Sequence, residues 1–352
     1  MWYVGIDLHR RTAVVAMVDD QMNRVRPRTF QCSRPRQIVE FISKHRPFKA
    51  VIEASCAYRW LHDLLAPHGE VVLAHPLLLK SVWNRRAKTD KKDAEELADL
   101  LRSDRIPRAY IPPERYQGLR DLTRERARMV WGRTEAENAL HSILWRANIE
   151  SPFTSLSGKG ALEWLESLEL PAHVAPMRDE RVERVRYFAR ATDRLDADLA
   201  RVAAGFPETA ALTDIHGIGL YSALLIIAEI GEPGRFTNPG QVAAYAGLTP
   251  RVRQSGDSDR RGRISKDGSK WLRWILGQAA MKVTRRDEAL ARFYTRVRRR
   301  AGKMRARTAV ARKLAEICWK RLVRWHGRDA VSYTHLRAHE TVLDLVCRLL
   351  LE

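Results

Sequence analysis

The sequence predicts an α/β domain built on a mixed sheet, then a long helical arm, then a mainly α-helical domain. Three observations lead there. Residues 1–110 alternate apolar runs of strand length with segments of helical spacing. Residues 111–207 become almost wholly helical in pattern and rich in charge. Residues 208–331 return to compact apolar helices, now with a large excess of Arg and Lys. No internal repeat is visible.

Residues 2–8 (WYVGIDL), 12–19 (TAVVAMVD) and about 25–32 (VRPRTFQC) read as three short strands. The tight polar turn His9-Arg10-Arg11 joins the first two as a hairpin, and His9 reads there as a turn residue. Helical spacing follows at 35–45, where Ile38, Phe41 and Ile42 recur. KAVIEAS (49–55) is continuous enough for a strand buried on both faces. A helix at 57–67, the strand EVVLAHP (70–76) and a helix at 91–103 complete the order βββαβαβα. That order belongs to a mixed sheet covered by helices, the ribonuclease-H-like arrangement.

Two charged helical stretches, 113–148 and 178–202, flank the Ser/Gly-rich connector SPFTSLSGKG. They suggest an antiparallel arm or coiled coil, a spacer or assembly element. From Leu212 a Gly-x-Gly turn, His216-Gly217-Ile218-Gly219, separates two apolar helical segments, as in a helix-hairpin-helix. The basic segment RVRQSGDSDRRGRISKDGSK reads as a loop, followed by Arg- and Trp-rich helices to about residue 330. Residues 332–352 differ in character: SYTHLRAHETVLDLVCRLLLE resembles translated sequencing-adapter DNA after a truncated reading frame, and is set outside the fold.

Charge narrows the function classes. The chain carries a net +21, and between Arg251 and Ala330 there are 25 Lys and Arg against 7 Asp and Glu, which is +18 of that total. A surface so basic repels itself unless a polyanion neutralises it, so nucleic acid is the expected partner. No apolar run approaches the roughly 18 residues of a membrane span, and no signal peptide opens the chain. The four cysteines (Cys32, Cys56, Cys318, Cys347) form no CxxC pair. A zinc site or disulfide framework is not expected, and a reducing cytoplasm is.

Four carboxylates stand out. Asp7 interrupts the first apolar strand, Glu53 interrupts KAVIEAS, and Asp90 and Asp93 open the helix in AKTDKKDAEELADL. A lone carboxylate in a buried strand is costly without a counter-charge. Neighbouring strands bring Asp7 and Glu53 together, and a helix starting at Asp90 can close over them. Each acid also has a plain reading: strand-end turn, surface residue, N-cap or dipole partner. Together they suggest two divalent cations, Mg²⁺ by its preference for oxygen, about 4 Å apart for phosphoryl transfer. In the basic segment Ser255, Ser258 and Ser265 are rival hydroxyls on residues alone, beside Arg251, Arg253, Arg260, Arg261, Lys266 and Lys270, suited to holding phosphate. Gly217 and Gly219 are candidate backbone contacts to nucleic acid or a packing turn. Trp271, Trp274, Trp319 and Trp325 suit a core more than base stacking.

The segments GID, VIEAS, AKTDKKDAEELA, IHGIGLYSALLIIAEIG and VAAYAGLTPRVRQSG…ISKDGSKWLRWIL, in this order and spacing, resemble the DEDD transposases of insertion-sequence family one-hundred-ten. The resemblance runs from about residue 2 to about 325. It implies a RuvC-like N-terminal domain whose tetrad falls on Asp7, Glu53, Asp90 and Asp93. It also implies a C-terminal nucleophilic serine, which by motif is Ser255, forming a covalent phosphoserine link to DNA. A further implication is a bridge RNA that pairs with donor and target DNA. Dimers joined into a tetramer would let one protomer lend its tetrad to another's serine. The expected setting is the bacterial cytoplasm, at the nucleoid. Three readings compete on the residues: a RuvC-like junction endonuclease acting by hydrolysis, an inactive nucleic-acid-binding remnant, and a sugar-kinase-like phosphotransferase, which lacks a second glycine-rich phosphate loop.

Overall fold

The computed structural model describes residues 1–55, 57–82, 89–255 and 258–327. It divides into two units, Met1–Ile111 and Pro112–Glu352. Residues 332–352, including Cys347, and Cys56 lie outside the described residues.

The first unit holds a five-stranded sheet. Its strands are β1 (Trp2–Leu8), β2 (Thr12–Asp19), β3 (Arg24–Gln31), β4 (Phe48–Glu53) and β5 (Glu70–Ala74), in the spatial order β3-β2-β1-β4-β5. The first three form an antiparallel meander, while β4 runs parallel to both β1 and β5. β1 is central and Val4 to Leu8 are all buried, which is why it reads as an apolar run interrupted only by Asp7. β3 lies at an edge, where Arg24, Arg26, Arg28 and Pro27 discourage pairing with another chain. Helices α1 (Pro35–Ser43) and α2 (Tyr58–Leu65) bury Ile38, Ile42, Leu61 and Leu65 with Val4, Ile6, Val15 and Met17. Helix α3 (Pro76–Val82) begins where the sequence reading had only a strand end; its Pro76 suits a first helical position. The opposite face carries α3 and α4 (Asp90–Arg102), with Leu79, Leu97 and Leu101 packed on Val51 and Val72, and Ala94 on Val14 and Ala16. Alternate residues of β2 thus serve opposite faces, as the pleat requires.

The second unit opens with α5 (Glu114–Arg146), α6 (Lys159–Ser167) and α7 (Ala175–Val202). α5 and α7 lie antiparallel: Arg126 bonds Asp196 at 2.9 Å, and Gly132 faces the Phe188 ring so closely that a methyl there would approach it to 2.5 Å. α6 forms out of the end of the Ser/Gly-rich connector. Its Leu162 and Leu165 close a small core with Leu140, Leu144, Val182 and Val185.

The opposite end of α5 enters a larger core. At its centre is α9 (Leu220–Ile230), whose residues 223–230 are all buried. Around it stand α8 (Thr209–Thr213), α10 (Pro239–Tyr245), α11 (Lys270–Val283), α12 (Glu288–Ala301) and α13 (Lys303–Gly327). Cys318 is fully buried here, and that burial raises its thiol pKa to about 12, so it behaves as a small apolar side chain. One carboxylate, Glu229, is buried on α9. Its oxygens accept from Arg124 Nε (2.7 Å), Arg124 Nη2 (3.0 Å) and Ser269 Oγ (2.8 Å). Arg120 donates to the carbonyls of Ala228 and Glu229. Ser269 in turn caps α11 through the amide of Leu272.

The basic segment expected as a loop is a hairpin instead. β6 (Pro250–Ser255) pairs antiparallel with β7 (Ser258–Ile264). In β6 Arg251 and Arg253 alternate with Pro250, Val252 and Gln254, and β7 is dominated by Asp259, Arg260, Arg261 and Arg263, so no continuous apolar stripe gives the usual strand signal.

Candidate active site

Sheet register places two acids of the first unit side by side. Ile6 pairs with Ile52 across the parallel β1–β4 ladder, so the next positions along the two strands are Asp7 and Glu53. Asp7 is only 8% exposed, and Glu53 is half-buried as the last residue of β4. The helix supplies the other pair. Thr89 is the N-cap of α4, its hydroxyl accepting from the Lys92 amide at 3.4 Å, so Asp90 and Asp93 fall in the first turn. Carboxylates there are favoured by the helix dipole. Asp90 is exposed and Asp93 is 4% exposed.

Gly5 brings that helix down onto the strand. A Cβ at position 5 would stand 2.0 Å from the Ala94 carbonyl oxygen and 2.5 Å from the Ala98 amide nitrogen. Backbone cannot move aside as a flexible side chain can, so only glycine permits this approach. Gly5 is not itself reactive, yet it fixes the height of the helix that carries Asp90 and Asp93.

His9 ties strand to helix. It sits in the β1–β2 turn, its amide bonded to the Thr12 carbonyl at 2.8 Å, as a turn residue should. Its Nε2 also lies 3.1 Å from Asp7 Oδ2 and 3.4 Å from Asp90 Oδ2. One ligand atom from each of Asp7, His9 and Asp90 falls within 4.8 Å of the others. Carboxylate oxygens and an imidazole at that separation, carried on a strand, a turn and a capped helix, fit a divalent cation. Asp7 and Asp90 would hold it; Glu53 follows Ile52 in the strand beside Asp7, and Asp93 shares the first turn of α4 with Asp90.

The second unit carries the other expected residues. Ser255 ends β6 and is the register partner of Ser258, so two of the rival serines occupy opposite backbone positions of one hairpin. Arg253 pairs with Arg260 and Val252 with Arg261 on the same ladder. The side chains of residues 252–261 lie outside the described ones. Arg251 is exposed and donates to the Ser265 carbonyl and to Asp267. Ser265 thus lies in the local bonding that follows β7. Lys266 and Lys270 are exposed, the former with φ +59°.

Gly217 has φ +90°, and a Cβ there would meet Lys282 Cβ at 2.6 Å, so it both turns the chain and packs on α11. Gly219 is extended and open, directly before α9. Trp271 and Trp319 belong to the core, the latter donating Nε1–H to the Pro233 carbonyl. Trp131, which the sequence reading passed over, stacks on Trp271 with centroids 4.8 Å apart. Also overlooked was an open groove of about 800 Å³ along α12, lined by Arg292, Arg296, Arg299 and Arg300. Its signal was the repeat of arginine every three to four residues from 292 to 300. Among the described residues no helix is long and apolar enough to cross a membrane.

Comparison with known proteins bears on both units. A family model of DEDD transposases of the IS110 kind, described as a transposase, matches residues 4–149. A second, described as the transposase IS116/IS110/IS902 family, matches residues 209–295. The Sinorhizobium fredii protein y4qE is 26% identical over 98% of this chain and 84% of its own length. The transposase for insertion sequence element IS1328 of Yersinia enterocolitica is 25% identical over 90% of this chain and 95% of its own. The transposase for element IS1111A of Coxiella burnetii is 26% identical, covering 78% of each. With both models matching in chain order, the chain belongs to the IS110/IS116 family of transposases.

Proposed function

We propose that the protein cuts and rejoins DNA of an insertion sequence at a metal-dependent acidic site, through a covalent phosphoserine intermediate and under the guidance of a bridge RNA. The observation that supports the first part is the close grouping of Asp7, His9 and Asp90, with Glu53 next to Asp7 in strand register and Asp93 in the same first turn as Asp90. Divalent ions, Mg²⁺ in the first instance and two by analogy with paired-metal sites, neutralise charge on the scissile phosphate when bound. The rigid strands keep Asp7 and Glu53 aimed, and Gly5 holds the helix acids against them.

Ser255 is the nucleophile in this reading. Its Oγ forms a bond to phosphorus while the bond to the leaving sugar oxygen breaks, and the hydroxyl proton passes to that oxygen. Arg251, Arg253, Arg260 and Arg261, with Lys266 and Lys270, hold the phosphate and oppose its growing charge. The turn at Gly217–Gly219 acts as a helix-hairpin-helix, offering first-turn amides of α9 to the DNA backbone. The domains divide functionally at 1–110, 111–207 and 208–331. The arm made by α5 and α7 serves as a coiled coil joining protomers into dimers and a tetramer, where the tetrad of one completes the serine site of another. The setting is the bacterial cytoplasm, at the nucleoid.

The test is trapping of a protein–DNA adduct with suicide substrate, guide RNA and Mg²⁺. The wild-type chain and the Ser258→Ala variant are expected to yield the adduct, and Ser255→Ala none. An adduct surviving in Ser255→Ala overturns the assignment, and free DNA ends without any adduct would point to hydrolysis.

A further inference from the structure

We infer that His9 is itself a metal ligand, and that it gives the acidic site a preference for a nitrogen-accepting divalent ion such as Mn²⁺ over Mg²⁺. The inference rests on the reading of Asp7 and Asp90 as cation ligands and adds a residue to it. Three observations support it. His9 Nε2 is 3.1 Å from Asp7 Oδ2 and 3.4 Å from Asp90 Oδ2, so the ring nitrogen points at the space between the two acids. The three donor atoms lie within 4.8 Å of one another, a span a single ion bridges with little adjustment. The ring is also held at its base: the His9 amide bonds the Thr12 carbonyl, and the His9 carbonyl lies 3.7 Å from Cys32 Sγ on the neighbouring strand end.

Donor chemistry then sets the preference. Mg²⁺ is hard, keeps its waters and favours oxygen; Mn²⁺ also takes oxygen ligands but, as a first-row transition ion, accepts an imidazole nitrogen more readily than Mg²⁺ does. An all-carboxylate site would separate the two ions weakly. A site with one imidazole gains more from Mn²⁺, because only that ion profits from exchanging a water for nitrogen. A histidine that merely screened the acids would act in the opposite sense, competing with any cation.

The test uses the full chain with Mn²⁺ or Mg²⁺ alone, by calorimetric titration, and electron spin-echo spectroscopy of the Mn²⁺ form. The wild-type chain is expected to show ¹⁴N coupling to Mn²⁺. His9→Ala should lose that coupling and bind Mn²⁺ about 10- to 100-fold more weakly, while Mg²⁺ affinity changes less than about threefold. His9→Gln, which keeps a polar turn residue, should behave like His9→Ala, and thermal unfolding of both verifies the fold. Absence of ¹⁴N coupling in the wild type overturns the inference. So does equal weakening of both ions, no change in either, or tighter binding of both on removing the ring. Asp7→Asn separates the two layers. If it abolishes binding of both ions, the underlying reading stands and His9 is judged on its own; if both still bind, the reading of the acids has failed.

Discussion

Glu229 in the second unit and Asp7 in the first are both buried acids in apolar segments, and their surroundings differ in kind. Glu229 is matched atom for atom by Arg124 and Ser269, with Arg120 bonding the carbonyl beside it. Such an arrangement is complete: it joins α5, α9 and α11 and leaves no role for an added ion. Asp7 instead stands beside Glu53 in register and shares an imidazole with a further acid, Asp90. Carboxylates gathered in this way repel one another, and a cation joining them relieves that repulsion. The first arrangement stabilises structure; the second, on the proposed reading, exchanges stability for a binding site.

The sharpest way to break that comparison is to neutralise one acid of each kind. Asp7→Asn should reduce strand cleavage by roughly 10³-fold or more, the scale of several kcal/mol of metal-assisted stabilisation of the transition state. Its unfolding free energy in urea should stay within about 0.5 kcal/mol of wild type or rise. Arg124→Ala should do the reverse. It strands a buried carboxylate, at a cost of about 3–5 kcal/mol. Divalent-ion binding, measured below the unfolding midpoint, should survive the Arg124 change. If Asp7→Asn unfolds the protein and Arg124→Ala does not, the two carboxylates have been assigned the wrong way round.

Gly5 tests whether the acidic site depends on the close approach of α4. Alanine is intrinsically the better strand residue by about 0.5–1 kcal/mol. Here the added methyl would meet backbone at 2.0 Å and 2.5 Å, so overpacking should dominate and cost about 3 kcal/mol. The partial escape is for α4 to lift, which would move Asp90 and Asp93 away from Asp7. Unfolding and Mn²⁺ titration of Gly5→Ala should therefore both worsen. A normal metal affinity in a folded Gly5→Ala protein would mean that the helix acids do not need the strand.

What could be read from the sequence follows the same division. β1, β2, β4 and β5 were legible because they are largely apolar runs, and Asp7 and Glu53 because each breaks such a run. Glu229 breaks an apolar run in the same way, in LLIIAEIG, and nothing local distinguishes it from Asp7. The difference lies in Arg124 and Ser269, 105 and 40 positions away. Gly5 escaped notice for a similar reason, since its contacts are with residues 94–98. His9 was legible as a turn residue, but its proximity to Asp90 depends on how α4 lies over the sheet. The basic hairpin was missed because strand prediction relies on a buried face, which β6 and β7 do not show in sequence.

Capping and ligand roles at the start of α4 can be separated by the smallest of the expected effects. Thr89 and Asp90 are both good capping residues by type, yet the hydroxyl of Thr89 makes the bond to Lys92, and Asp90 stands one position inside the helix. Thr89→Ala should cost about 1 kcal/mol of stability, and less if the 3.4 Å bond is weak. Thr89→Ser should restore most of that loss, since the cap needs only the hydroxyl. Asp90→Ala removes a favourable dipole contact, about 0.3–1 kcal/mol, together with the contact to His9 Nε2. If Asp90 serves the site, its loss must show in Mn²⁺ titration well beyond what Thr89→Ala produces, although the two changes cost similar stability. Equal metal affinities in the two variants would return Asp90 to an ordinary first-turn acid, and the acidic site would then rest on Asp7, Glu53 and Asp93.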